Sequence, residues 1–142
     1  RFDAKVLVEE RWFGRELTIA VLGGKALPII EIKAPEGNYD YQNKYFGDVV
    51  KYECPAQLDA DVTNKVLSAC EAAFAAIGAR GWGRIDAMMR DDGSFILLEF
   101  NSSPGMTPHS LVPMAARAVG MDYQKLCLWL AAHAALDGAA RR

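Results

Sequence analysis

Apolar and polar residues alternate with period two from Phe2 to Glu9, the repeat that sends successive side chains to opposite faces of a strand, and residues 17–22 and 26–32 are further short β-rich runs. Gly23 and Gly24 stand between the second and third runs, and paired glycines suit a two-residue hairpin turn. A small antiparallel sheet is predicted there. Between Pro35 and Pro55 the alternation dissolves into APEGNYDYQNKYFGDVVKYECP, too aromatic for a flexible linker and too irregular for an element. Long loops of this kind are often functional lids. Helical spacing returns with Val62, Val66, Cys70, Phe74 and Ile77, behind a cap at Asp59 or Asp61 and ahead of Gly78. This predicts an amphipathic helix to residue 79 covering the sheet. Residues 82–89 and 94–100 read as two more strands, and 110–119 and 123–136 as Ala- and Leu-rich helices split by Gly120 and packed as a C-terminal layer.

The two later strands flank Asp91-Asp92-Gly93-Ser94, where Asp-Gly is a favoured turn pair. With Asp92 and Gly93 as the turn, Asp91 faces Ser94, Asp86 faces Glu99 and Arg84 faces Asn101. That register puts Arg84, Asp86, Glu99 and Asn101 on one face of adjacent strands, near enough to share an ion. Ile85, Ala87, Leu98 and Phe100 are then expected on the helix-covered face.

Two carboxylates and an amide oxygen form a hard donor set suited to Mg²⁺, which keeps its remaining positions for phosphate oxygens or water. Arg84 adds a fixed cation for a developing negative charge. The same side chains also fit a surface ion pair, Arg84 with Asp86 or Glu99. In Ser102-Ser103-Pro104-Gly105-Met106-Thr107, proline fixes φ, and glycine permits close backbone approach or positive φ. Ser110 is expected to open a helix, as an anion site at the helix end or as a plain N-cap. Lys44 and Tyr45 sit in the irregular loop, either over the same face or in solvent. Glu9 and Glu16 bracket the Gly14 bend, where a carboxylate meets a sugar hydroxyl or only water. His109 is assigned a local hydrogen bond near the turn and His133 the surface.

Composition narrows the classes. The 142 residues, about half apolar, suit one core. Sixteen Lys and Arg against 18 Asp and Glu, with no basic block, argue against a nucleic-acid partner. Cys54, Cys70 and Cys127 lack metal or redox spacing and read as free, partly buried thiols of a reducing compartment. No apolar run reaches the roughly eighteen residues of a membrane span, and a soluble cytosolic protein is expected. The chain starts directly in strand-like alternation without methionine, and reads as a piece of something longer.

Four fragments, EERWFGREL, YDYQNKY, GWGRIDAMM and LLEFNSSPGMTPHSLVPMAARAVGM, occur in the order and spacing of the D-alanine:D-alanine ligase family of the ATP-grasp superfamily. The chain resembles the C-terminal part of that family from about Val6 to about Leu136. The resemblance implies an α/β (α+β) fold, a mainly antiparallel sheet backed by helices. Residues 1–13 become the edge strand and hinge of an otherwise absent central lobe, and 14–142 the C-terminal catalytic subdomain. It implies a cytoplasmic bacterial enzyme of peptidoglycan synthesis that uses ATP and two Mg²⁺ (or Mn²⁺) ions. A D-alanyl phosphate forms and is attacked by the amino group of a second D-alanine. In this matching Asp86, Glu99 and Asn101 hold the metals. Arg84 with the backbone N–H of Gly105 stabilises the tetrahedral intermediate, and Ser110 and Leu111 receive the second D-alanine's carboxylate. Lys44 and Tyr45 form the lid. Glu9 meets the adenine amino group, Arg11 and Trp12 form the hinge whose backbone touches the base, and Glu16 binds the ribose. Asn38 departs from a position often aromatic near the adenine, and Pro108 from one often small. The resemblance further implies a homodimer of the whole protein, and little activity without the N-terminal and central domains. D-lactate or D-serine as acceptor, or a non-catalytic nucleotide-binding module of the same fold, remain the alternatives.

Overall fold

A computed structural model describes residues 5–33 and 50–135. Among them, strands β1 (Arg15–Leu22), β2 (Lys25–Ala26), β3 (Ile30–Lys33), β4 (Lys51–Glu53), β5 (Trp82–Met89) and β6 (Phe95–Asn101) build one sheet, with helices α1 (Ala60–Ala76), α2 (Leu111–Ala118) and α3 (Tyr123–His133). The order is β4-β3-β1-β5-β6 with β2 paired to β1, and every pairing is antiparallel.

The central strand shows how the sheet is layered. Along β1, Leu17, Ile19 and Val21 pack with Ile85, Ala87 and Met89 of β5 against Val66, Cys70 and Phe74 of α1. Ala20, Leu22 and Ile30 face the opposite way, against Val112, Ala115, Ala116 and Leu126 of α2 and α3. One sheet face is covered by α1, the other only at the Leu22 end of β1. The rows of Thr18 and Glu16 on that second face are left to wall a cleft.

Several expectations shift in detail. The hairpin forms at Gly23 and Gly24, both with positive φ, but the 26–32 run divides at Pro28 into β2 and β3 because proline has no N–H for the ladder. The helix begins at Ala60 and stops at Ala76. Ile77, expected on its buried face, is 59% exposed beyond the last turn. Helix α2 runs as predicted within a residue at each end, whereas α3 starts at Tyr123 as predicted but stops at His133, ahead of non-helical residues 134 and 135; residue 136 lies outside the described residues. Of the predicted strand 2–9, the described part joins no ladder, and Val6, Leu7 and Val8 are all more than 80% exposed. Lacking a strand partner among the described residues, its alternation has no sheet to fold onto. The segment leaves the sheet at Gly14, whose φ is +152° and where a Cβ would sit 2.1 Å from the Met89 carbonyl oxygen.

The β5–β6 hairpin holds the main correction. Met89 pairs with Phe95, Met88 with Ile96 and Ala87 with Leu97, and Arg90 N–H donates to the Ser94 carbonyl at 2.8 Å. The loop is therefore three residues, Asp91-Asp92-Gly93, one more than predicted. Beyond Ala87 the register shifts, and Asp86 pairs with Glu99 and Arg84 with Asn101. Leu98 is the extra residue of a bulge. It is 53% exposed, and Leu97 takes the place on the α1 side that was expected for Leu98.

Candidate functional site

Because the bulge restores the register, the four side chains singled out in the sequence do meet. Arg84 clamps Asp86 with two parallel bonds, Nε to Oδ1 at 2.8 Å and Nη2 to Oδ2 at 2.7 Å, both side chains being less than a fifth exposed. Thr18 Oγ1 donates to Asp86 Oδ1 at 2.7 Å. Asn101 Nδ2 donates to Asp86 Oδ2 and to Glu99 Oε1, each at 3.0 Å. The ion pair expected of a plain surface is thus present, but it is partly buried and set in a wall of the cleft.

Thr18 was not singled out in the sequence. It is 1% exposed, in a strand otherwise apolar from Leu17 to Leu22, and stands opposite Asp86. A hydroxyl at such a position needs a partner, which is the signal that marks it. Tyr52 and Ile32 were also missed. The register runs Ile96–Met88–Glu16–Ile32–Tyr52 across five strands, making an apolar row interrupted by one carboxylate. The alternation that betrays Tyr52 is confined to the three residues of β4.

The cleft measures about 930 Å³, and its walls include Glu9, Glu16, Asp86, Glu99, Gly105 and Ser110. Arg84, Leu111 and the exposed His109 also reach it. Residues far apart in sequence are gathered here: Glu9 and Glu16 beside the apolar row, the Asp86 group in the middle, and the 105–111 turn on the far side. Gly105 has no left-handed φ; it is needed for proximity, since a Cβ there would lie 3.1 Å from Ser110 Oγ. Ser110 is the N-cap residue by position but makes no side-chain bond to its helix. Its hydroxyl instead accepts from Thr107 N–H at 3.0 Å and pairs with Thr107 Oγ1 at 2.9 Å. That leaves the first-turn N–H groups of α2 without a hydroxyl cap from Ser110, an arrangement that attracts anions. Tyr123 OH donates to the Met106 carbonyl at 2.6 Å and Arg117 Nη1 to that of Pro108 at 2.7 Å, pinning the turn to α2 and α3.

Other predicted residues fall elsewhere. Arg11 stacks on Phe13, and Trp12 lies under the guanidinium of Arg90, so neither side chain lines the cleft. Lys44, Tyr45 and Asn38 lie outside the described residues. His133 is exposed as expected, stacked on Trp129. The cysteines are free, and burial pushes the Cys70 thiol up to about 12, the behaviour of an inert core residue.

Whether this face suits a divalent cation can be tested on its donors. One NH₂ group bonds both carboxylates, so the bonded oxygens are separated by no more than twice 3.0 Å, and such hard oxygens fit Mg²⁺. Among the described residues no group of three or more His, Cys, Asp or Glu could hold an ion. Further ligands of such an ion have to be Asn101, water or a substrate. No helix among the described residues is long and apolar enough to cross a membrane.

The pattern of the family described as "D-ala D-ala ligase C-terminus" matches residues 1–131. The D-alanine--D-alanine ligase of Bordetella pertussis is 58% identical over 139 residues, covering 95% of this chain and 44% of that protein. Among solved structures, the D-alanine--D-alanine ligase from Bacillus anthracis complexed with ATP matches at a TM-score of 0.74 and 30% identity, over 88% of this chain and 39% of its own. The VanG D-Ala:D-Ser ligase from Enterococcus faecalis matches at 0.71 and 27%, over 87% of this chain and 37% of its own. The chain spans less than half the length of the curated relatives it matches.

Proposed function

Since this chain belongs to the D-ala D-ala ligase C-terminal family, we propose that it is the catalytic C-terminal part of an ATP-dependent ligase joining two D-alanines through a D-alanyl phosphate. The observation that carries the reading is the gradation of the cleft. A row of apolar side chains around Glu16 suits a base and sugar, and the next row, Thr18, Asp86 and Glu99 with Arg84 and Asn101, suits phosphate and metal. The first-turn backbone N–H groups of α2, which Ser110 does not cap, suit a carboxylate.

In this reading Glu9 accepts from the adenine amino group, and Glu16 accepts from the ribose. Residues 11–12 touch the base through their backbone. Asp86, Glu99 and Asn101 hold Mg²⁺ or Mn²⁺, which when bound offsets the charge of the phosphate oxygens. Thr18 and Arg84 fix the Asp86 carboxylate from two sides, so little reorganisation accompanies binding. The Arg84 guanidinium and the Gly105 N–H face the oxyanion that develops as the amine attacks, and Ser110 and Leu111 orient the attacking D-alanine by its carboxylate. Lys44 and Tyr45 close over the γ-phosphate. Residues 1–13 are the edge strand and hinge of a preceding lobe, the intact protein is a homodimer, and the setting is the bacterial cytoplasm.

The test is phosphate release from ATP by the intact protein offered D-alanine, D-lactate or D-serine, with products identified by mass. Release that requires D-alanine and yields the dipeptide is expected. Binding of ATP without release for any acceptor would instead support a non-catalytic module. Within the same assay Glu99→Gln is expected to lower turnover at least about a hundredfold and to raise the Mg²⁺ needed for half-activity.

A further inference from the structure

Residues 5–13 join no ladder among the described strands, yet this segment carries Glu9 and Glu10 into the cleft wall. Something outside the cleft has to aim it. Arg90 stands at the end of β5, its backbone fixed by the bond to Ser94 that closes the hairpin loop. From there its guanidinium lies 3.7 Å over the Trp12 ring and gives Nη2 to Glu10 Oε1 at 3.1 Å. The same cation therefore holds two residues of the segment by different interactions, a π-face contact and an ion pair. Gly14, pressed on the Met89 carbonyl next to Arg90, sets the angle at which the segment departs.

We infer that Arg90 is a positioning residue for nucleotide recognition, holding Glu10 and Trp12 so that the neighbouring Glu9 faces the cleft and reads the amino group of the base. The inference rests on the adenine reading of Glu9 given above. Arg90 itself is not among the residues that line the cleft. It also borders a second hollow, with Arg15, Asp59, Asp91 and Asp92, on the other side of the sheet end. Its action on the cleft thus passes through Trp12 and Glu10.

The experiment compares ATP with inosine triphosphate, which carries an oxo group where ATP has the amino group, in the intact protein. Wild type is expected to prefer ATP. For Arg90→Met, the KM for ATP should rise about fivefold while that for inosine triphosphate and kcat at saturation stay within about twofold. Arg90→Lys, which keeps the ion pair but stacks less well, should fall between. A parallel rise for both nucleotides, a drop in kcat, or no change at all would overturn the role assigned to Arg90. Glu9→Gln separates the two layers of the argument. If Glu9→Gln narrows the preference and Arg90→Met does not, Arg90 alone is misassigned. If Glu9→Gln leaves the preference intact, or wild type has none, the adenine reading falls and the Arg90 inference with it.

Discussion

Asp86 accepts four hydrogen bonds from three side chains, and the one from Thr18 is the best buried. Thr18→Val keeps the shape of the side chain and removes only the donor. It should leave the fold intact while lowering kcat/KM for phosphate release roughly tenfold, and Thr18→Ser should recover most of it. Equal activity in the Val variant would mean that Arg84 and Asn101 suffice to fix the carboxylate. A second charged pair supports the sheet rather than the chemistry. Arg15 grips Glu31 at 2.8 and 2.6 Å and reaches the Gln57 carbonyl at 2.9 Å. The Arg15 hydrogen bond holds the Glu31 carboxyl below its ordinary 4.5 despite burial. A carboxyl lowered in the folded state contributes stability fully above its unfolded value, and loses it as pH falls from 4.5 through the lowered one. Glu31→Gln should therefore cost about 1–2 kcal/mol at neutral pH and progressively less below 4.5. Urea unfolding of the chain at neutral and acid pH checks this, and a pH-independent difference would count against it.

The β5–β6 hairpin shows what a pattern of residues can and cannot convey. Asp-Gly and the alternation around it revealed the hairpin, and the pairing of Asp86 with Glu99 and Arg84 with Asn101 came out as read. It did so because two departures cancel: the loop has one residue more than the favoured turn, and Leu98 bulges by one residue on the way to Glu99. Neither is visible in the sequence, since Leu97 and Leu98 are the same residue type and only packing against α1 decides which turns inward. The segment before Gly14 failed for the opposite reason. Its alternation is strand-like, but a strand exists only where a neighbour offers a ladder. Pro28 and Thr18 carried signals in their chemistry, a missing donor and a hydroxyl in an apolar strand, that the reading of 26–32 as one run and of 17–22 as a plain strand passed over. The glycines offer a direct test of the hinge. At Gly14 an added methyl meets the Met89 carbonyl oxygen at 2.1 Å, whereas at Gly24, with φ +82°, it meets nothing within 4 Å. Gly14→Ala should cost about 2–4 kcal/mol and Gly24→Ala about 1 kcal/mol, the backbone cost alone. Similar losses at the two sites would show that the segment around Gly14 relaxes freely.

Taken whole, the described residues form a sheet with α1 on one face and α2 and α3 on half of the other, and the cleft occupies the half left open. A cleft built on one side of a single sheet can supply ligands and a carboxylate seat, but phosphoryl transfer needs the nucleotide held in line from both sides. In the Bordetella pertussis relative the matched part accounts for 44% of the length, so more than half of that protein lies outside it. The 142-residue chain alone is accordingly expected to bind Mg·ATP weakly and to release phosphate at least about a thousandfold more slowly than the intact protein. Calorimetry and phosphate release on the chain and on the intact protein, each with and without D-alanine, make the comparison. A chain that binds and does not turn over fits a cleft that holds its ligands from one side. Turnover by the chain at a rate near that of the intact protein would mean that Arg84, Asp86, Glu99, Asn101 and the 105–111 turn complete the reaction unaided, and the proposal that a second lobe aligns the phosphates would have to be given up.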